Sequence, residues 1–83
     1  MSKYAPLGRH LASQGEPEVI MTFSEVEKIL GSSLPPSART YRAWWANERS
    51  GSHVQREAWI GSGYEVDQVD FLRERVTFRR RRS

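Results

Sequence analysis

The sequence predicts an α+β fold, a single small domain in which an antiparallel sheet of about four strands packs against two or three short helices. Apolar residues recur at helical spacing near the N-terminus and again between residues 23 and 30. Toward the C-terminus they alternate with polar residues, as in a β-hairpin. With 83 residues, 37% of them hydrophobic, the chain has enough apolar material for one core. We expect the domain to span residues 1–78 and a basic C-terminal tail to occupy residues 79–83.

The N-terminal part of the chain predicts one short helix and one strand. Tyr4, Leu7 and Leu11 have helical spacing, and a proline is tolerated in a first turn, so we predict a helix over residues 4–12. The polar stretch SQGEPE then indicates a loop. The short apolar segment EVIMT that follows it, residues 18–22, predicts a strand.

The next element is a helix predicted over residues 23–30. Thr22 and Glu25 have the spacing of a capping box, in which each side chain binds a backbone N–H at the start of a helix. The apolar residues that follow lie on one face, and Gly31 is suited to the left-handed position after a helix end.

Residues 38–47 allow two interpretations. A helix here would follow helix 23–30 as in a helix-turn-helix motif. A strand would instead send the neighbours Trp44 and Trp45 to opposite faces. We predict a strand over residues 41–46, because Thr-Tyr-Arg-Ala-Trp-Trp is rich in β-forming residues and the SSLPPS linker is longer than the usual turn of that motif.

The strand interpretation has a direct consequence for the two tryptophans. Trp45 would lie in the core with Tyr41, and Trp44 would lie on the open face beside Arg42. The alternative is that the N-terminal helix covers Trp44 as well.

The segment after residue 47 predicts one more helix. Ser52 and Gln55 have capping-box spacing, and Val54 and Ala58 follow on one face, so we predict a helix over residues 53–61. Two glycines then end it.

A β-hairpin is predicted at the end of the domain. Val69, Phe71, Val76 and Phe78 alternate with polar residues on either side of a turn at Leu72–Arg75. The two apolar residues before them, a tyrosine and a valine, are out of phase with this alternation. We therefore expect a bulge or bend near residues 67–68.

The ordered set of short motifs in this chain resembles a family of small bacterial domains over about residues 4–79. The matching segments are Thr22–Gly31, Leu34–Ala38, Trp44–Asn47, His53–Gln55, Ala58–Trp59 and Val76–Arg79. The family has no known activity, so the resemblance implies a shared fold and assigns no catalytic or binding residue.

Composition argues against several classes of protein. The chain has no cysteine, so it forms no disulfide and no thiolate metal site. No apolar run approaches the roughly 20 residues of a membrane span, and the N-terminus lacks a signal-peptide pattern. We expect a cytoplasmic protein that binds no cofactor and no metal ion.

Catalytic motifs are also weak. The two histidines are far apart in the sequence, and no spacing indicates a triad or a metal site. Glu65, Asp67 and Asp70 suggest the acidic cluster of a metal-dependent nuclease. The more ordinary explanation is the solvent face of a strand, with these acids paired to Arg73 and Arg75. We therefore expect a protein that is not an enzyme.

Arginine is the most informative feature for function. Eleven of the thirteen basic residues are arginine, and the four consecutive ones at the C-terminus exceed the whole net charge of +3. Arginine binds phosphate bidentately and stacks on bases. An exposed tryptophan beside arginine, followed by amide side chains near a helix start, is a combination that nucleic-acid surfaces use.

We therefore expect a non-enzymatic nucleic-acid-binding module whose partner is DNA rather than RNA. The predicted contact residues are Arg39, Arg42, Trp44, Asn47, Ser52, His53, Gln55, Arg56, Arg79, Arg80, Arg81 and Arg82. A structural alternative exists for some of them, since Ser52 and Gln55 could close the helix start and Asn47 could hold the turn after the strand. The alternative function is a protein-interaction module, a small regulator or inhibitor or a homodimer, with Trp44 as the anchor.

Overall fold

The computed structural model describes residues 3–47 and 54–81, and it confirms an α+β domain. Within these residues the sheet has three strands, so the expectation of about four is wrong. The α-helices are α1 (Ala5–Ser13), α2 (Phe23–Leu30) and α3 (Arg56–Ile60), and the strands are β1 (Glu18–Thr22), β2 (Tyr64–Asp70) and β3 (Arg75–Arg80). Two 3₁₀ helices, Pro36–Arg39 and Arg42–Trp45, lie between α2 and α3.

The sheet is antiparallel with the order β1-β3-β2. Its inner face is apolar because Met21 pairs with Val76, and Val66 pairs with Phe78, on the side that faces the helices. The register of β2 shifts between Val66 and Gln68, which confirms the predicted bulge. The shift returns the apolar residues of β2 to the inner face after one residue out of phase.

Helix α2 begins and ends as its sequence predicts. The Thr22 hydroxyl accepts from the Glu25 backbone N–H at 3.0 Å, and the Glu25 carboxylate accepts from the Thr22 N–H at 2.8 Å. Gly31 follows the helix with φ of 75°, a conformation that other residues adopt only with strain. The buried side of α2 carries Phe23 and Val26.

The predicted strand over residues 41–46 is wrong. Arg42–Trp45 is a 3₁₀ helix, and both tryptophans are buried, Trp44 with 9% and Trp45 with 0% of its surface exposed. The Trp44 ring packs edge-on against Tyr4 at 5.8 Å between centroids, so the N-terminal segment covers it. Because successive residues of a 3₁₀ helix point about 120° apart, two neighbouring rings can enter one core.

Trp45 lies at the centre of that core. Its ring stacks on Phe23 and on Trp59, with centroids 5.5 Å and 5.8 Å apart. Its indole N–H donates to the Ala38 carbonyl at 2.8 Å, which fixes the first 3₁₀ helix against the second. A polar atom that would otherwise be unsatisfied is thus paired inside an aromatic cluster.

Helices α1 and α3 pack closely enough to require a small residue. A Cβ on Gly8 would lie 3.2 Å from the Ala58 carbonyl oxygen. The helix predicted over residues 53–61 is shorter in the structure, because Val54 and Gln55 precede it in a turn and α3 spans only Arg56–Ile60; residue 53 lies outside the described residues. No helix in the described ranges is long and apolar enough to cross a membrane.

The last strand extends into the arginine run. Arg79 and Arg80, expected to begin the tail, belong to β3. The Arg80 N–H donates to the Pro17 carbonyl and the Arg81 N–H to the Gly63 carbonyl, each at 2.8 Å. The first three of the four arginines are therefore fixed at one end of the sheet.

Candidate nucleic-acid interface

Two amide side chains expected at the contact surface bind the protein's own backbone. Asn47 donates to the Val66 carbonyl at 2.9 Å and accepts from the Val66 N–H at 2.8 Å. Gln55 is buried and donates to the Trp44 carbonyl at 3.0 Å. Asn47 therefore has a structural role, but it holds the backbone of β2 and not the local turn that the structural alternative gave it. The predicted exposed face around Trp44 does not exist. Ser52, His53 and Arg82 lie outside the described residues.

Arg39 is also engaged within the fold. Its guanidinium binds Glu27 at 2.9 Å and Glu74 at 2.8 Å, and it lies over the Phe23 ring. The pKa of Glu27 is lowered by a hydrogen bond from the Leu34 N–H and next by the one from Arg39. The hydrogen bond to Glu27 raises the pKa of Arg39 in turn. Through its contacts with Glu27 and Glu74, Arg39 links the first 3₁₀ helix to α2 and to the turn between β2 and β3.

Three further predicted arginines face carboxylates. The pairs are Arg56 with Glu57 at 3.5 Å, Arg79 with Asp67 at 3.1 Å and with Glu18 at 3.8 Å, and Arg81 with Glu65 at 3.9 Å. These contacts reduce the positive potential that the C-terminal run offers to a phosphate. They also use Asp67 and Glu65 of the supposed nuclease cluster, so these two acids pair with Arg79 and Arg81 and not with the expected Arg73 and Arg75. The described residues contain no group of three or more potential metal ligands.

The remaining arginines define where positive charge is available. In the described part of the chain, five have no carboxylate oxygen within 4.0 Å, namely Arg9, Arg42, Arg73, Arg75 and Arg80. Arg42 donates to the Trp45 carbonyl at 3.2 Å, and Arg80 donates to the Gly15 carbonyl at 3.2 Å. Backbone carbonyls orient these two guanidiniums without neutralising them.

Exposed apolar side chains stand next to two of these arginines in the sequence. Tyr41 has 63% and Leu72 has 93% of its surface exposed. Each lies two residues along the chain from a partner of the Arg39–Glu74 ion pair. The four residues Tyr41, Arg42, Leu72 and Arg73, which we call the hairpin end, thus belong to the two segments that this ion pair joins.

Sequence reasoning missed most of the hairpin end. It included Arg42, but it placed Tyr41 in the core and treated Leu72 and Arg73 as ordinary turn residues. A signal was present at Leu72, because a large apolar residue at the tip of a predicted hairpin has no core to enter. Tyr41 carried no such signal, since its exposure depends on the 3₁₀ conformation of the residues after it.

The described residues also form two concave regions at the surface. A cavity of about 350 Å³ between α1 and α3 has a mainly apolar lining that includes Ala5, Gly8, Val54 and Ala58. A smaller one, of about 180 Å³, lies on the outer face of the sheet.

The family comparison agrees with the sequence resemblance. The profile described as Domain of unknown function (DUF7662) matches residues 4–81, nearly the whole chain. The chain belongs to the DUF7662 family. Neither the curated proteins nor the solved structures contain a match. Membership of DUF7662 confirms the resemblance to a small domain family and assigns no residue a role, so function must be argued from the geometry.

Proposed function

We propose that this domain is a non-enzymatic module that binds DNA, and that the hairpin end is its contact surface. The observation that carries the proposal is that two strongly exposed apolar side chains, Tyr41 and Leu72, are each followed in the sequence by an arginine that faces no carboxylate of the described residues. Elsewhere in the described residues, most predicted contact groups are engaged within the fold.

The chemistry of the four side chains suits a nucleic acid. Arg42 and Arg73 would contact phosphates, which position a protein on the duplex without reading its sequence. Tyr41 offers an aromatic face for a base or sugar. Leu72 at the tip of a hairpin resembles the apolar wedges that some proteins insert between base steps of the minor groove.

The C-terminal arginines would add to this affinity. Arg80 faces no carboxylate in the described part of the chain, and Arg81 only a distant one at 3.9 Å. Their contribution is electrostatic and independent of DNA sequence, and it falls as salt concentration rises.

The connectivity offers an analogy with one class of DNA-binding domain. The order α1, β1, α2, α3, β2, β3 with the sheet order β1-β3-β2 is that of helix-turn-helix domains that carry a β-hairpin wing. In helix-turn-helix proteins the second helix of the motif lies in the major groove of DNA. The chain departs from that pattern because residues 31–55 separate α2 from α3, far more than a three- or four-residue turn. This is an analogy of connectivity alone.

The experiment is a fluorescence-anisotropy titration of labelled random-sequence duplex and single-stranded DNA at about 50 mM and about 200 mM salt. We expect the wild type to bind duplex with an affinity that falls steeply between the two salt concentrations. Leu72→Ser, which removes a side chain that contacts little of the protein, should weaken binding several-fold. Val54→Ser, an equally aliphatic exposed position in the α1–α3 cavity, is the matched control and should leave binding unchanged. No detectable binding at the lower salt concentration would overturn the proposal.

The alternative of a protein-interaction module anchored by Trp44 loses its anchor, because that ring is buried against Tyr4. A partner could reach it only if the N-terminal segment moved away.

A further inference from the structure

The smaller cavity lies where two rows of side chains cross the outer face of the sheet. The register places Ile20, Thr77 and Gln68 in one row, on β1, β3 and β2 respectively. The next row ends in Arg75 on β3 and Asp70 on β2. With Arg73 from the turn, these six side chains line a cavity of about 180 Å³.

The groups in this cavity are mainly hydrogen-bond donors. Thr77 on the central strand is only 8% exposed, so larger side chains surround it. Arg73 and Arg75 face no carboxylate oxygen within 4.0 Å in the described residues. Gln68 adds an amide on the β2 side.

The one acid of the cavity does not neutralise these arginines. Asp70 accepts from the Arg73 backbone N–H at 3.0 Å, which closes the turn. Although Asp70 and Arg75 are cross-strand partners, no ion pair forms between them within 4.0 Å. Two guanidinium groups, a hydroxyl and an amide therefore outnumber a single carboxylate that is already hydrogen-bonded.

We propose that this cavity is a phosphate-binding site. Its donors come from the central strand, an edge strand and the turn, and this spread suits a tetrahedral anion, which presents oxygens in several directions. A planar carboxylate would use one arginine fork and leave the others without an acceptor. The cavity is smaller than the roughly 300 Å³ at which pockets for whole drug-sized ligands begin, so it fits one anionic group and its immediate substituent.

The site extends the DNA contact described above. Arg73 belongs to both the cavity and the hairpin end, so a DNA strand that Arg73 contacts would lie beside the cavity. This DNA role rests on the proposed function, whereas the affinity of the cavity for phosphate does not.

The first test uses inorganic phosphate and ¹⁵N-labelled protein. We titrate phosphate against chloride at equal ionic strength and pH 7 and follow amide and arginine Nε signals by NMR. Saturable shifts should appear at Gln68, Arg75 and Thr77 with phosphate alone. Arg75→Gln and Thr77→Val should each weaken phosphate binding about tenfold, since each removes a donor to a charged acceptor.

Arg79→Gln is the matched control for that test. Arg79 lies on the same face of β3, two residues from Thr77, but it binds Asp67 and Glu18 instead of lining the cavity. Its loss should leave phosphate affinity unchanged. The absence of saturable shifts in the wild type would overturn the proposed site, and so would equal weakening by Arg79→Gln, since that indicates a general charge effect.

A DNA titration of the same variants distinguishes a failure of this inference from a failure of the proposed function. If phosphate shifts the cavity signals and DNA does not bind, the site is retained and the proposed function fails. If Arg75→Gln binds DNA as tightly as the wild type, the cavity has no part in DNA contact, and the proposed function is retained. Weakened DNA binding by Arg75→Gln, with unchanged binding by Arg79→Gln, supports both.

Discussion

Individual arginines in this domain serve two different purposes. Arg39 bridges Glu27 and Glu74 and covers the Phe23 ring, so it joins three segments of the fold. Arg42, three residues later, has no carboxylate within 4.0 Å in the described residues and is exposed. The two arginines differ in their partners, since Arg39 binds two carboxylates and Arg42 binds none in the described residues. Removal of Arg39 should cost stability, and removal of Arg42 should cost affinity.

Glu27 makes stability depend on pH in the acid range. Its pKa in the folded protein lies below the ordinary value of 4.5, because the Leu34 N–H and Arg39 bind the charged form. A lowered folded-state pKa means that the contribution is complete above pH 4.5 and is lost as pH falls through the folded pKa. Glu27→Gln should therefore be less stable than the wild type at pH 7, and the difference should shrink below pH 4.5.

Urea denaturation at a series of pH values measures this effect. Glu16→Gln is the control, because the Glu16 side chain is exposed and makes no hydrogen bond within the described residues. A difference between wild type and Glu27→Gln that stays constant down to pH 3 would contradict the assignment.

Asn47 should matter for stability at a position where sequence reasoning expected DNA contact. Asn47→Ala should lower the free energy of unfolding by about 1–3 kcal/mol, because the Val66 N–H and carbonyl on the edge strand both lose their partner. Gln68→Ala removes an exposed amide from the same strand and should change stability by less than about 0.5 kcal/mol. Urea denaturation measures the free energy of unfolding of both variants. Equal losses of stability in Asn47→Ala and Gln68→Ala would contradict a structural role for Asn47.

At the scale of elements, the sequence predicted those whose signals are local. Helix α2 has both its cap and its terminal glycine in its own ten residues, and the β2 bulge follows from a break in alternation. The 3₁₀ helix Arg42–Trp45 could not be predicted in this way, since its β-forming residues are held by rings from distant segments. The bonds of Arg39 are equally non-local, with partners 12 and 35 residues away.

The second 3₁₀ helix should depend on the burial of Trp44. Trp44→Ala should destabilise the domain by about 3–5 kcal/mol, because it leaves a cavity between Tyr4 and the other two tryptophans. Tyr41→Ala, an aromatic deletion three residues earlier at an exposed position, should change stability by less than about 0.5 kcal/mol. Urea denaturation followed by near-ultraviolet circular dichroism compares the two. A larger loss of stability in Tyr41→Ala than in Trp44→Ala would contradict the burial of Trp44 and the exposure of Tyr41.

For the whole molecule, the position of charge matters more than its sum. The formal net charge is only +3, and the carboxylates near Arg79 and Arg81 offset part of the C-terminal run. A phosphate backbone responds to local potential within about a Debye length, roughly 10 Å at ordinary salt. Arginines without acid neighbours should therefore contribute more to DNA affinity than an equal number with them.

Two variants with the same change in charge test this directly. Arg42→Gln with Arg73→Gln, and Arg79→Gln with Arg81→Gln, each remove two positive charges. If the hairpin end contacts phosphates, the first pair should lower affinity for duplex DNA about tenfold or more and reduce the slope of log K against log salt by about 2. The second pair should have the smaller effect, because its guanidiniums already face Asp67 and Glu65. Equal losses in the anisotropy titration would show that net charge alone drives binding, and the hairpin end would then have no specific role.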